Sequence, residues 1–563
     1  MSSSKELFYL TPCLDPKDFT MMRLFFALTL FMVNYSIAQD SIKAGDVHRA
    51  ANLLDLKFSD MEVEMMLPDL KDNINDYKKM HALPLDNSIA MSMAQRLTAE
   101  NTKQEKLKWK YDKKIKLPTN RNELAFYSIH ALGSLLRNKS ITSVELTNFF
   151  IKRLKQFGDT LQCTVSLTEQ IAMEQATKAD EELNKGMDRG PLHGIPYGLK
   201  DLFAVKGTKT TWGAAPYKNQ TIDEDAYVYT RLKEAGAVLV AKFTLGALAM
   251  GDYWFGGRTK NPWSLERGSS GSSAGSSSAT VAGLVPFSIG TETHGSIISP
   301  SHTCGATGLR PTFGSVSRSG AMTLSWSLDK VGPICRSAED AATVFAFIHG
   351  TDNKDASAVN AAFNYKSKTD VKTLRIGYAK NHFDRLDSSA QEWSVLKVLK
   401  AQGLEIQPMY FPDTEVYAFD IIGQVIGAES AAAFDAFTRT GLDDQMTRQT
   451  RFDWPNYFRV ARTIPAVEYI NANRHRSILM QRVNEAMQPF DVVITPSFGG
   501  RQLAITNLTG HPALCMPIGL TKQGTPNSIT FLSNLFKEEA LLSLGNFFQE
   551  KTDYDNIHPE KFR

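Results

Sequence analysis

The sequence predicts an α/β protein in which strands and helices alternate along the chain. Three runs have strand character: Val238–Ala241, Leu374–Tyr378 and Val492–Ile494. Helical spacing is clearest after the capping box Thr142-Ser143-Val144-Glu145, where the threonine hydroxyl can accept from the backbone and the glutamate can reach back. Leu146, Phe149, Phe150, Leu154 and Phe157 then fall on one face of that helix. The composition, 42% apolar and 22% charged over 563 residues, is that of a globular chain long enough to bury a sizeable core.

Residues 1–38 read as an export region. Met21, Met22 and Arg23 precede the apolar run Leu24–Val33, and small side chains at Ser36 and Ala38 suit a signal peptidase, which places cleavage before Gln39. Spanning a bilayer takes about 20 apolar residues, so this run is too short, and no stable membrane span is expected after its removal. The mature chain is expected to be secreted or periplasmic. Residues 1–20 are polar and precede the signal, which points to Met21 or Met22 as the true start. Residues 39–125 read as a helical extension, with a second capping box at Ser59-Asp60-Met61-Glu62. The stretch 351–370 is polar and aperiodic and reads as a loop. Leu541, Leu544 and Phe548 mark an amphipathic helix packed on the sheet rather than a membrane anchor.

Charge and cysteine content narrow the function. With 63 basic and 60 acidic residues the net charge is only +3, and the densest charged stretch, Lys103 to Lys116, mixes both signs. No nucleic-acid footprint is present, and no nucleic-acid partner is expected. Cys163, Cys304, Cys335 and Cys515 of the mature chain are far apart, with no CxxC spacing and no zinc pattern. An even count in an exported protein suits disulfides and buried free thiols equally.

The most unusual stretch is Arg267–Ser278, RGSSGSSAGSSS. As a flexible linker it would have to run without a break into the apolar Ala279–Phe287, which linkers between domains do not do. Gly271-Ser272-Ser273-Ala274-Gly275 also matches G-x-S-x-G, the nucleophile elbow of α/β-hydrolases. That elbow needs an apolar strand just before it, and Glu266–Ser270 predicts none.

A third reading fits more of the chain. Residues 191–203 (PLHGIPYGLKDLF), 268–283 (GSSGSSAGSSSATVAG), 286–311 (PFSIGTETHGSIISPSHTCGATGLRP), 329–342 (DKVGPICRSAEDAA) and 507–520 (NLTGHPALCMPIGL) together resemble the amidase signature family. That family includes fatty acid amide hydrolase and the catalytic subunit of the tRNA-dependent amidotransferase. The resemblance covers about residues 126–550, in order, leaving 551–563 as a C-terminal tail. It implies one large α/β/α domain around a twisted mixed sheet and a Ser–cis-Ser–Lys triad. Lys200 takes the place of the family's lysine, Ser272 the middle serine after a cis Gly271–Ser272 bond, and Ser296, 24 residues further on, the nucleophile.

The residue types suit that chemistry. A serine hydroxyl needs a neighbouring base, and a lysine kept neutral by burial can serve where no histidine does. Lys200 would draw a proton from Ser272, Ser272 from Ser296, and the reverse relay would protonate the departing amine. Backbone N–H groups of Thr293, His294, Gly295 and Ser296 would hold the oxyanion, each worth about 2.7–4 kcal/mol in the transition state. The resemblance thus implies hydrolysis of a small-molecule carboxylic amide through an acyl-serine, with no metal or organic cofactor; a homodimer is left open.

Two departures stand out. The family shows Asp-x-Gly-Gly-Ser with an arginine two residues on, whereas this chain has Glu292-Thr293-His294-Gly295-Ser296 and then Ile298. A pair that would brace the loop is expected to be absent or altered, and His294 is expected either as a substrate contact or as a structural histidine. His193 reads as structural. Residues 380–470, where the resemblance is weakest, are expected to build much of the acyl pocket, and the 32 phenylalanines suit a core or such a pocket. Two rivals remain: a glutamine amidotransferase subunit that works on misacylated tRNA, and a non-catalytic binding protein on the same fold.

Overall fold

The computed structural model describes residues 42–54, 56–83, 97–99, 102–105, 109–413 and 421–563. The export region lies outside them. The chain divides into two compact units, Met1–Asp72 and Asn73–Arg563. In the first, α1 (Ala44–Leu53) is followed by the start of α2 (Asp60–His81). The Ser59 capping box forms: Ser59 N–H donates to the Glu62 carboxylate at 2.6 Å, and Glu62 N–H donates to Ser59 Oγ at 3.4 Å. Between His81 and Asn120 the described residues form neither helix nor strand.

The second unit is built on an eleven-stranded mixed sheet. Its strands are β1 (Thr164–Leu167), β2 (Pro196–Lys200), β3 (Val238–Phe243), β4 (Phe287–Glu292), β5 (Thr307–Arg310), β6 (Lys330–Cys335), β7 (Ile376–Ala379), β8 (Ile406–Met409), β9 (Val492–Pro496), β10 (Ala513–Leu520) and β11 (Pro526–Leu532). Their order is β1-β3-β2-β4-β6-β5-β10-β11-β9-β7-β8. The pairs β2–β3, β2–β4, β7–β9 and β7–β8 are parallel; the other neighbours run antiparallel. All three strand runs read from the sequence lie in this sheet, as β3, β7 and β9.

Around the sheet lie α3 (Ser143–Leu161), α4 (Ala274–Val281), α5 (Ile298–Cys304), α6 (Ala466–Met487), α7 (Gln502–Thr509) and α8 (Glu538–Glu550). Alternation along the strands supplies apolar surface to both faces. Val492, Ile494, Leu514 and Met516 pack with Leu541, Leu544 and Phe548 of α8. Their neighbours Val493, Ala513 and Cys515 pack with Leu479 and Val483 of α6 and Ile505 and Leu508 of α7. The result is three α/β/α layers. The α3 capping box forms as predicted, Glu145 N–H donating to Thr142 Oγ1 at 3.1 Å.

In the C-terminal tail, 551–563, Phe562 is buried edge-on against Phe157, and Arg153 donates to its carbonyl. Cys163, Cys304, Cys335 and Cys515 are all buried free thiols. Among the described residues no helix is long and apolar enough to cross a membrane.

Candidate active site

The glycine and serine residues of 268–278 are packing devices. All eight residues of α4, AGSSSATV, are buried. Their small hydroxyls tie the helix to the sheet and to α5: Ser276 donates to the Ile289 carbonyl at 3.1 Å, Ser288 to the Ser276 carbonyl at 2.9 Å, and Ser277 to the Pro300 carbonyl at 2.8 Å. A Cβ on Gly275 would sit 2.3 Å from the Cys163 carbonyl oxygen, and one on Gly271 1.8 Å from that of Gly251. Only glycine permits those approaches. The Gly271–Ser272 bond is cis. One sequence expectation changes here: Ser264–Gly268 does form a strand, paired with Lys260–Asn261. It is a polar hairpin strand outside the main sheet, because it needs only one short partner and not a buried face.

Lys200 is the last residue of β2, and β4 runs parallel beside it, with Leu199 opposite Ile289. The carboxyl ends of both strands therefore open at one edge, the place where α/β sheets commonly bind ligands. There the fully buried Lys200 Nζ lies 2.8 Å from Ser272 Oγ, 2.8 Å from Thr291 Oγ1, 3.0 Å from Ser273 Oγ and 3.3 Å from the Thr291 carbonyl. Hydroxyls can donate as well as accept, so this shell suits an amine as well as an ammonium. Burial pulls the Lys200 pKa from 10.5 down to about 7, against the upward pull of the Asp329 and Glu292 carboxylates.

Ser296 follows β4 in a tight loop. Its carbonyl accepts from Ser273 N–H at 3.1 Å, which seats the loop against the start of α4. Gly295 has φ +86, and a Cβ there would meet Ser299 Oγ at 2.8 Å. Ser296 is 9% exposed, open enough for a substrate to reach, whereas Ser272 is 1% exposed. His294 is exposed beside it. His193 is buried away from these groups, accepting from Arg189 N–H at 3.2 Å, with Nε2 3.1 Å from Glu182. That is a structural histidine.

The brace missing at Ile298 is rebuilt from another strand. One oxygen of Glu292 accepts from the N–H groups of Ile297 and Ile298 at 2.8 and 2.9 Å; the other accepts from Arg310 Nη1 and Asn507 Nδ2, each at 2.8 Å. Arg310, at the end of β5, also donates to Thr506 Oγ1 at 2.9 Å and to the His511 carbonyl at 2.8 Å. Burial pushes the Glu292 carboxyl up, but Arg310 and the N–H donors outweigh it and hold its pKa at about 2. Glu292 pairs with a guanidinium from β5, so the pair is altered rather than lost.

Two groups escaped the sequence reading. Asp329 accepts from Thr293 Oγ1 at 2.6 Å and from the N–H groups of Leu324 and Ser325 at 2.9 and 3.0 Å. Thr291 supplies both its hydroxyl and its carbonyl to Lys200. Asp329 heads the quoted stretch 329–342, but nothing in its spacing tied it to Thr293. A cavity of about 600 Å3 opens beside Thr291 and Thr293. Its walls come from 313–331, 354–357, 476–480 and 508–510 together with Leu97, Leu202 and Ala249, and, among the described residues, none from 380–470. In that segment Phe434, Phe437, Trp454 and Phe458 pack in one aromatic cluster, which also meets Trp212 and Tyr217.

The family model for amidases matches residues 145–542. A glutamyl-tRNA(Gln) amidotransferase subunit from Coxiella burnetii is 33% identical over 481 residues, covering 77% of this chain and 99% of that protein. The subunit of the same name from a Marinomonas species is 31% identical over 473 residues, covering 76% and 97%. Among solved structures, the peptide amidase of Stenotrophomonas maltophilia superposes with a TM-score of 0.69 at 25% identity, covering 77% of this chain and 98% of that one. A peptide amidase bound to the competitive inhibitor chymostatin gives 0.70 at 26% identity, covering 78% and 100%. By matched family model, by identity across nearly the full length of its relatives, and by fold, this chain belongs to the amidase family.

Proposed function

We propose that the protein is an exported amidase that hydrolyses a small linear carboxylic amide through an acyl-Ser296 intermediate. The observation that carries this reading is Lys200: fully buried, 2.8 Å from Ser272 Oγ, with a proton affinity brought close to neutrality. A neutral Lys200 accepts the Ser272 proton as Ser272 accepts that of Ser296, and the Ser296 oxygen attacks the amide carbon. The backbone N–H groups of Thr293, His294, Gly295 and Ser296 receive the oxyanion, since those of Ile297 and Ile298 are engaged by Glu292. Collapse returns the proton through Ser272 to the leaving nitrogen, and water repeats the sequence on the acyl-serine. Export rests on the pattern from Arg23 to Ala38.

A serine-directed fluorophosphonate tests the nucleophile: the adduct should map to Ser296 by peptide mass analysis, and labelling at Ser273 would return the elbow reading. A second reading, a glutamine amidotransferase subunit, is favoured by the names of the relatives at 31–33% identity. It needs a tRNA-binding partner in the same compartment, and sequencing the N-terminus of native protein separates the two. A chain starting near Gln39 supports the exported amidase; one retaining Met1 or Met21 supports the amidotransferase.

A further inference from the structure

If the chain is an amidase, the cavity beside the nucleophile loop defines what it accepts. Its volume of about 600 Å3 is that of a small-molecule site. Of its lining residues, Thr291 and Thr293 are buried and Trp326 and Lys354 are exposed; Lys200, Ser272 and Ser296 themselves do not line it. Part of the wall is apolar, with Met322, Leu324, Val331 and Leu508.

The charged lining is unbalanced: Arg318, Lys330, Lys354 and Arg476 face only Asp329 and Asp355. Most of these groups are already engaged. Arg318 makes two bonds to Asp355, at 2.7 and 2.9 Å, and donates to the Trp326 carbonyl at 2.7 Å. Arg476 donates to the Leu508 carbonyl at 2.6 Å and to Ser327 Oγ at 2.8 Å. Lys330 is buried and donates to the Leu328 carbonyl. Asp329 is held by Thr293, Leu324 and Ser325. Among the described residues, the Lys354 ammonium alone in this lining has neither a hydrogen-bond nor an ion-pair partner. An entering anion therefore meets one free cation and no free carboxylate in this lining, and the cation attracts it.

We infer that the cavity selects amides whose acyl chain is apolar along its length and ends in an anionic group, received at the mouth by Lys354. The acyl chain is the part assigned to it because Thr293, three residues before Ser296, and Thr291, which holds Lys200, both line it, and Ser296 is the residue to which the acyl group becomes bonded.

The test compares glutaryl and suberyl mono-p-nitroanilides with their methyl esters on purified protein at low salt. The free acids should show kcat/KM about three- to fivefold above the esters, the range of one partly exposed ion pair. Lys354→Arg should keep that ratio and Lys354→Glu should invert it. A ratio near one in the wild type, or one that Lys354→Glu leaves in place, overturns the inference. Calorimetry with suberate and dimethyl suberate reads the cavity without turnover: suberate should bind more tightly, and equal binding, or none, also overturns it. Absence of any fluorophosphonate adduct on Ser296 would instead count against the amidase reading, so the two failures are distinct.

Discussion

The hydroxyl of Thr293 donates to the carboxylate of Asp329 at 2.6 Å, joining the nucleophile loop to the chain segment that walls the cavity. The same carboxylate holds the N–H groups of Leu324 and Ser325, and its charge favours the protonated form of Lys200. One side chain thus fixes a loop and biases a base.

Asp329→Asn keeps the shape and removes the charge. Without the carboxylate the Lys200 pKa should fall further below about 7, so the ascending limb of kcat/KM against pH should move to lower pH. The plateau should fall about tenfold, the scale of one charge-assisted hydrogen bond. Thr293→Val breaks the same bond but keeps the charge, and should lower the plateau without moving the limb. Profiles of both variants check this; an unmoved limb in Asp329→Asn would separate Asp329 from the base.

For Lys200 itself, the rate should rise with pH through about 7, because the neutral amine is the active form. Lys200→Ala should lose most turnover and that pH dependence while staying folded. Residues acting as a unit are non-additive, so Lys200→Ala/Ser272→Ala should be little worse than the poorer single variant. His193→Ala and His294→Ala should retain measurable chemistry. Single-turnover rates on one anilide settle it, and full activity in Lys200→Ala would sink the Ser–Ser–Lys scheme.

The Glu292–Arg310 pair gives a stability prediction. Glu292 titrates at about 2 in the fold against an ordinary 4.5, so the folded state favours its ionised form. That contribution is fully present above pH 4.5 and is lost as pH falls towards 2. Breaking a buried pair costs about 3–5 kcal/mol, so Arg310→Leu, which strands the carboxylate, should unfold at markedly lower denaturant near pH 7. The deficit should shrink towards pH 3 as the carboxylate takes up a proton. Urea titrations across that range measure it.

Local and repeated signals are legible in the sequence. The α/β class follows from β3, β7 and β9, and the α3 cap from four consecutive residues. Lys200 and Ser272 are placed by motif and meet at 2.8 Å. The features that stay hidden depend on contacts between distant segments. Arg310 substitutes for an arginine expected at 298, Asp329 reaches Thr293 across 36 positions, and the cavity draws on walls separated by more than 150 residues. The polar run 264–268 pairs as a hairpin strand although its composition predicts none. Phe562 is buried by Phe157, far away in sequence, so nothing near the C-terminus announces it.

The guanidinium of Arg310 also joins distant parts of the chain. It ties Glu292 to Thr506 and His511, contacts spanning some two hundred positions. Such long-range closure comes late, because its entropy must be overcome before the contact returns anything. A chain truncated before Thr506 lacks two of the groups that hold the Arg310 guanidinium against Glu292.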